Sequence, residues 1–182
     1  MPRIVLVGAG SVEFTRNLLG DILSSPALSG SEIALHDIDP ERLATAERMA
    51  HWTASALGAS PTISAHLDRR EALRGADFVV NTIQVGGARA TRLDFDVAAR
   101  FGLRYTIADT IGVGGVFRGL RTIPIAVAIA RDMEEICPNA WLLNYTNPLA
   151  ILVRAVSEAT SIRVVGLCHS VFWTVDRLAG YL

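Results

Sequence analysis

The 182-residue sequence predicts an α/β chain folded as one doubly wound parallel sheet. Three observations carry that expectation. Short, continuous apolar runs recur along the chain and end in Gly, Asp or Asn, as strands buried on both faces do. Segments with helical spacing separate these runs. The first run closes on Gly8-Ala9-Gly10 just before a helical pattern begins. Hydrophobic residues at 51% and charged residues at 19% suit such a well-covered interior.

Residues 3–8 read as the first strand, and residues 11–25 as a helix with Pro26 just past its end. Residues 32–37 form a second strand. Asp39 then stands at an N-cap with Pro40 at the first helical position, and that helix runs to residue 57 before Gly58. Residues 62–66 suit a short third strand and 75–81 a fourth, with Gly86-Gly87 in the loop after it. Residues 91–101 are helical. Residues 109–115 read as a glycine-rich loop, leading into an apolar helix over 116–136 that contains Pro124. A fifth strand covers 141–144, Asn147-Pro148 opens another helix, and a sixth strand covers 162–167. The final Gly180-Tyr181-Leu182 lies in a helical pattern.

The composition excludes several function classes. Seventeen basic residues against 18 acidic ones give a net charge of −1, with no basic stripe for nucleic acid or an anionic membrane. The longest apolar run, residues 123–130, is too short to span a bilayer. The first residues lack a leader pattern, so a cytoplasmic location is expected. All 17 basic residues are Arg. Without Lys there is no P-loop, no Schiff-base enzyme and no Tyr–Lys dehydrogenase pair. The two cysteines, Cys137 and Cys168, are expected to be free thiols.

Gly8 and Gly10, followed by Ser11, lie where a tight turn lets a pyrophosphate rest on a helix N-terminus. Glu13 holds the place of the usual third glycine. Asp37 ends the second strand, where a carboxylate accepts from an adenosine ribose and repels a 2′-phosphate, favouring NAD over NADP. Asp39 accounts for the helix cap, which leaves Asp37 free for the ribose. Ligands of such a sheet sit at the carboxyl ends of its strands. Asn81, Asn144, Asn147 and Cys168-His169 all fall on that edge, and the loop carrying Asp109 could fold over it. Each has a plainer alternative: Asn147-Pro148 is a common helix entry, Cys168 could be a small buried hydrophobe, and His169 could be a cap.

Several stretches together resemble glycoside hydrolase family 4, the NAD- and manganese-dependent glycosidases. They are Gly8-Ala-Gly-Ser11, Leu35-His-Asp-Ile-Asp39, the block from Asp109 to Pro124, Leu143-Asn-Tyr-Thr-Asn-Pro148 and Gly166-Leu-Cys-His-Ser-Val171. The resemblance implies a Rossmann-like sheet of the lactate and malate dehydrogenase type. It implies NAD on Gly8, Gly10, Ser11, Asp37 and Asn81. It implies Cys168 as thiolate ligand to Mn²⁺ or another divalent metal, and Asn147 on sugar hydroxyls. His169 would protonate the leaving group, with Asp109 an acidic catalytic position near the sugar. Cys-His-Ser-Val looks like the branch acting on unphosphorylated α-glycosides, in its α-galactosidase version.

The implied chemistry is an exception to the two-carboxylate scheme. NAD takes hydride from C3 of the sugar, a base removes the acidified C2 proton, the aglycone leaves, water adds, and the hydride returns. A thiolate on a manganese-type metal is unusual and implies a need for reducing conditions. Family members are more than twice as long, with a second metal ligand (His) and a Tyr base further on. Residues 1–182 are therefore expected to be one NAD-binding domain with the start of the catalytic site, lacking the C-terminal catalytic domain and inactive alone. A homo-oligomer is expected at full length. A 2-hydroxy-acid dehydrogenase and a non-catalytic NAD-binding domain are the competing readings.

Overall fold

The computed structural model describes residues 1–107 and 109–182, with the backbone alone described for His169 and Phe172. Strands and helices alternate: β1 (Arg3–Val7), α1 (Val12–Ser24), β2 (Glu32–His36), α2 (Pro40–Leu57), β3 (Thr62–His66), α3 (Arg69–Ala72) and β4 (Phe78–Asn81). There follow α4 (Gly87–Arg100), α5 (Gly112–Ile136), β5 (Trp141–Asn144), α6 (Leu149–Ala159), β6 (Arg163–Gly166) and α7 (His169–Ala179). The six strands lie in the order β3-β2-β1-β4-β5-β6, and every pair is parallel. This is the doubly wound order, with the chain reversing direction across the sheet between β1 and β4.

Strand alternation sends side chains to two cores. Ile4 and Leu6 of β1, with Ile33 and Leu35 of β2, pack beneath Leu19 and Leu23 of α1 and Leu43, Ala46 and Ala50 of α2. Val5 and Val7 face the other way, with Val79 and Leu142, toward Ile129, Ala130 and Met133 of α5 and Leu152 of α6. Each fully buried Leu or Ile contributes about 1.5–3 kcal/mol.

The expected cap of α2 is present. Asp39 Oδ1 accepts from the backbone N–H groups of Glu41 and Arg42, Pro40 opens the helix, and Gly58 closes it at φ 64°. Three elements differ from expectation. Helix α4 starts at Gly87, inside the expected loop, rather than at residue 91. The four-residue helix α3 is too short to leave a periodic signal. Helix α5 starts at Gly112, so all three glycines of the expected 109–115 loop lie inside its first turns. Of these, Gly115 is there for close packing, since a Cβ on it would stand 2.8 Å from the carbonyl carbon of Thr110. Gly119, further along the helix, is packed likewise: a Cβ there would stand 3.2 Å from Ile151 Cγ2. At 25 residues α5 has the length and composition of a membrane-crossing helix, although the apolar run within it does not. Here Ala126, Ile129, Ala130 and Met133 are buried in the core on one face of the sheet, and Arg118 and Arg121 are paired with carboxylates.

Candidate active site at the carboxyl edge of the sheet

The carboxyl ends of β1, β2, β4 and β5 surround a cavity of about 940 Å³. At one end lies the turn after β1. Gly8 has φ +89°, and a Cβ there would sit 2.9 Å from the backbone nitrogen of Ile83. Its N–H and that of Ala9 both donate to His36 O, at 2.9 and 3.0 Å. Ser11 stands at the N-cap of α1 but makes no side-chain cap bond, so its hydroxyl leaves the helix N-terminus, an end that favours an anion, uncapped.

Asp37 is not free, contrary to the sequence reading. Its Oδ2 accepts from Gly10 N–H at 2.8 Å, and its Oδ1 accepts from Asp39 N–H at 3.0 Å. The carboxylate therefore ties the first turn to the second. A carboxylate has about four lone-pair sites, so each oxygen can still accept from a hydroxyl.

Asn81 also departs from its assigned place. It is 1% exposed and does not line the cavity. The register sets it opposite Asn144, and its Nδ2 donates to Asn144 Oδ1 at 2.9 Å. Asn144 Nδ2 in turn donates to Thr146 O at 2.9 Å. The pair joins β4 to β5 below the cavity floor, with Asn81 Oδ1 unpartnered among the described residues.

At the other end the cavity meets Asp109, Arg118, Asn147 and Cys168. Asn147 Nδ2 donates to Asp109 Oδ2 at 3.0 Å. Arg118 Nε donates to Asn147 O at 3.0 Å, and its Nη1 lies 3.5 Å from Asp109 Oδ2. Since only the amide nitrogen can donate to the carboxylate, Asn147 Oδ1 is left as an acceptor. Asp109 already carries two donors, which suits it to positioning Asn147. Cys168 is an exposed free thiol at the N-cap of α7. His169 begins α7, and its side chain lies outside the described residues. Among the described residues no three His, Cys, Asp or Glu groups come together as a metal site.

Sequence reasoning missed Arg118, although it lies inside the Asp109–Pro124 block. Its neighbour one turn on, Arg121, makes a bidentate pair with Asp94 at 3.1 and 2.7 Å and donates to Val85 O at 3.1 Å, fixing α4 to α5. It missed His36 as well. The Nδ1 of that residue lies 3.0 Å from His66 O, and the ring lines the cavity beside Asp37, Arg42 and Arg69. Burial, chiefly, holds its imidazole below the usual range, and the bond to His66 works the other way. Arg69 is steadied by Asp132, which Arg70 also binds at 2.6 Å.

Among known families, the model described as family 4 glycosyl hydrolase matches residues 3–182. The chain belongs to that family. Within family 4 it is 51% identical to an alpha-galactosidase of Bacillus subtilis (strain 168) over 172 residues, which are 94% of this chain and 40% of the relative. It is 42% identical to an alpha-glucosidase of Erwinia rhapontici over 171 residues, 93% of this chain and 38% of that one. A solved 6-phospho-alpha-glucosidase from gut microorganisms, in complex with NAD and glucose-6-phosphate, is 26% identical. It superposes with a TM-score of 0.83 over 92% of this chain and 38% of its own. The chain thus spans about 40% of the length of its first family 4 relative.

Proposed function

We propose that this chain holds NAD and begins the active site of a glycosidase that cleaves O-glycosidic bonds of unphosphorylated α-glycosides, α-galactosides first among them. One observation carries the reading: a single cavity joins the glycine turn and Asp37 to Asn147 and Cys168. The cavity's dinucleotide end fits NAD. The glycine turn brings backbone close, the N-terminus of α1 lacks a side-chain cap, and Asp37 keeps acceptor capacity for ribose hydroxyls. When bound, NAD supplies a hydride acceptor for a sugar carbon.

The chain's own residues divide the remaining work. Asn147 Oδ1 accepts from a sugar hydroxyl, with Asp109 and Arg118 fixing its orientation. His169 is assigned the proton given to the leaving oxygen. Arg118 is engaged by Asp109 and by Asn147 O. The identity to an alpha-galactosidase favours a neutral galactoside. For the divalent metal, manganese in this reading, the described residues supply one donor, Cys168, which is short of a complete site. No step is therefore derived through it.

The test uses a chain of the relatives' length that carries these residues. It is given p-nitrophenyl α-galactoside, NAD, Mn²⁺ and a thiol, each omitted in turn. Hydrolysis should need all of them, and Cys168→Ser should abolish it while leaving NAD affinity unchanged. Hydrolysis without NAD would sink the reading, and NAD reduction by malate or lactate would support a dehydrogenase instead. The 182-residue chain alone should bind NAD and turn over little.

A further inference from the structure

We infer that His36 is a binding residue for the adenine ring, its neutral imidazole accepting a hydrogen bond at Nε2 from the exocyclic amino group. The inference rests on the reading of this cavity as an NAD site. The geometry assigns the tautomer. His66 O can only accept, so the ring nitrogen 3.0 Å from it, Nδ1, carries the proton. In the neutral ring Nε2 is then a bare acceptor. Among the described residues Nε2 has no hydrogen-bond partner, and it is not among the side-chain atoms sealed from solvent. His36 as a whole is 5% exposed, and it lines the cavity. What remains open on the ring therefore faces cavity space.

The register explains how a histidine comes to be there. His36 pairs with Val7 on one side and His66 on the other, at the last position of β2. The next residue is Asp37. Both sit at the end of the cavity that also holds Arg42 and Arg69. Burial keeps the ring neutral near pH 7, with the Arg69 charge adding to the effect and Asp37 and Asp68 opposing it.

Elimination identifies the ligand group. An adenosine presents hydrogen-bond donors only at its ribose hydroxyls and its amino group. The Asp37 carboxylate, with a free acceptor site on each oxygen, takes the hydroxyls. The amino group is the donor left for Nε2. An apolar residue at position 36 would fill the space without answering that donor.

The 182-residue chain, its six-stranded sheet included, serves for the test. Calorimetry measures its affinity for NAD and for nicotinamide hypoxanthine dinucleotide, in which a carbonyl oxygen replaces the amino group. The wild type should prefer NAD by about tenfold, since the oxygen cannot donate and sets two acceptors face to face. His36→Leu should lose that preference, and His36→Gln, which keeps an acceptor, should restore part of it. Circular dichroism confirms that each variant is folded, and the wild-type comparison of the two dinucleotides needs no variant at all. Equal wild-type affinity for the two would overturn the inference, as would a preference that survives in His36→Leu. So would a dependence on His36 that disappears with a deoxyribose analogue rather than with hypoxanthine. Failure of the wild type to bind either dinucleotide would overturn the NAD reading itself.

Discussion

Replacing Gly10 with alanine tests whether Asp37 closes the first turn or merely stands near it. A methyl group there would lie 2.6 Å from Asp37 Oδ2 and 2.7 Å from Arg42 Cβ. Relaxed contacts between carbons need about 3.5–4.0 Å. Neither neighbour can swing aside: the carboxylate is held by two backbone N–H groups, and Arg42 Cβ is fixed to the backbone of α2. Gly10 is not among the glycines with positive φ, so the cost is one of packing rather than of backbone conformation. Overpacking of this kind destabilises by about 1–3 kcal/mol. Gly20 supplies the opposite case in the neighbouring helix. It lies within α1, and a Cβ added there would meet nothing within 4 Å, so alanine should stabilise by about 0.5–1 kcal/mol. Urea unfolding followed by circular dichroism measures both, with an unchanged slope confirming two-state behaviour. Gly10→Ala should also weaken NAD binding by about tenfold or more, because the turn must open. Wild-type stability in Gly10→Ala, or a change of the same sign in both variants, would refute the reasoning.

Other outcomes follow from the same geometry. Arg121→Met should destabilise by about 1–3 kcal/mol, because it leaves the largely buried Asp94 without its bidentate partner; Arg121→Lys should recover part of that in the same urea assay. His36 is held below the usual 6.5, so between its folded value and 6.5 the unfolded chain binds a proton that the folded chain does not. Stability is full above 6.5 and falls as pH drops through that window, and His36→Gln should flatten the melting-temperature profile there; superimposable profiles would contradict this. Asn147→Asp sets a second carboxyl group against Asp109, so one of the two should titrate well above the ordinary carboxylate range by NMR.

The strands were legible because a strand buried on both faces cannot hide its composition. Arg3–Val7 and Glu32–His36, buried along most of their length, fall where their apolar residues put them. The α2 cap was legible because Asp-Pro at a helix start has few other uses. The beginning of α5 was not. Glycines at 112, 114 and 115 read locally as a loop, and only the fold shows that they open a helix, with Gly115 against Thr110 where a Cβ would not fit and Gly112 at φ +69° beside Tyr105. The site was partly readable for a similar reason. Sequence order places Asn81, Asn147 and Cys168 on one edge, since each follows a strand. It does not say that Asn81 turns inward to Asn144, which depends on the β4–β5 register. Nor could it show that Asp37 is already engaged, because its partner Gly10 is 27 residues away.

The reversal of winding between β1 and β4 has a consequence for how this edge can change. The segments leaving those two strands diverge, and no connection needs to bridge the gap they leave. The cleft is thus a product of the wiring, present whatever side chains border it. Val7 and Ile129 border it from the core, but His36, Arg118 and Asn147 lie outside both cores on the sheet's faces, so replacing one of these three alters what the cleft accepts far more than whether the sheet forms. In this chain, recognition is written in positions that folding leaves open.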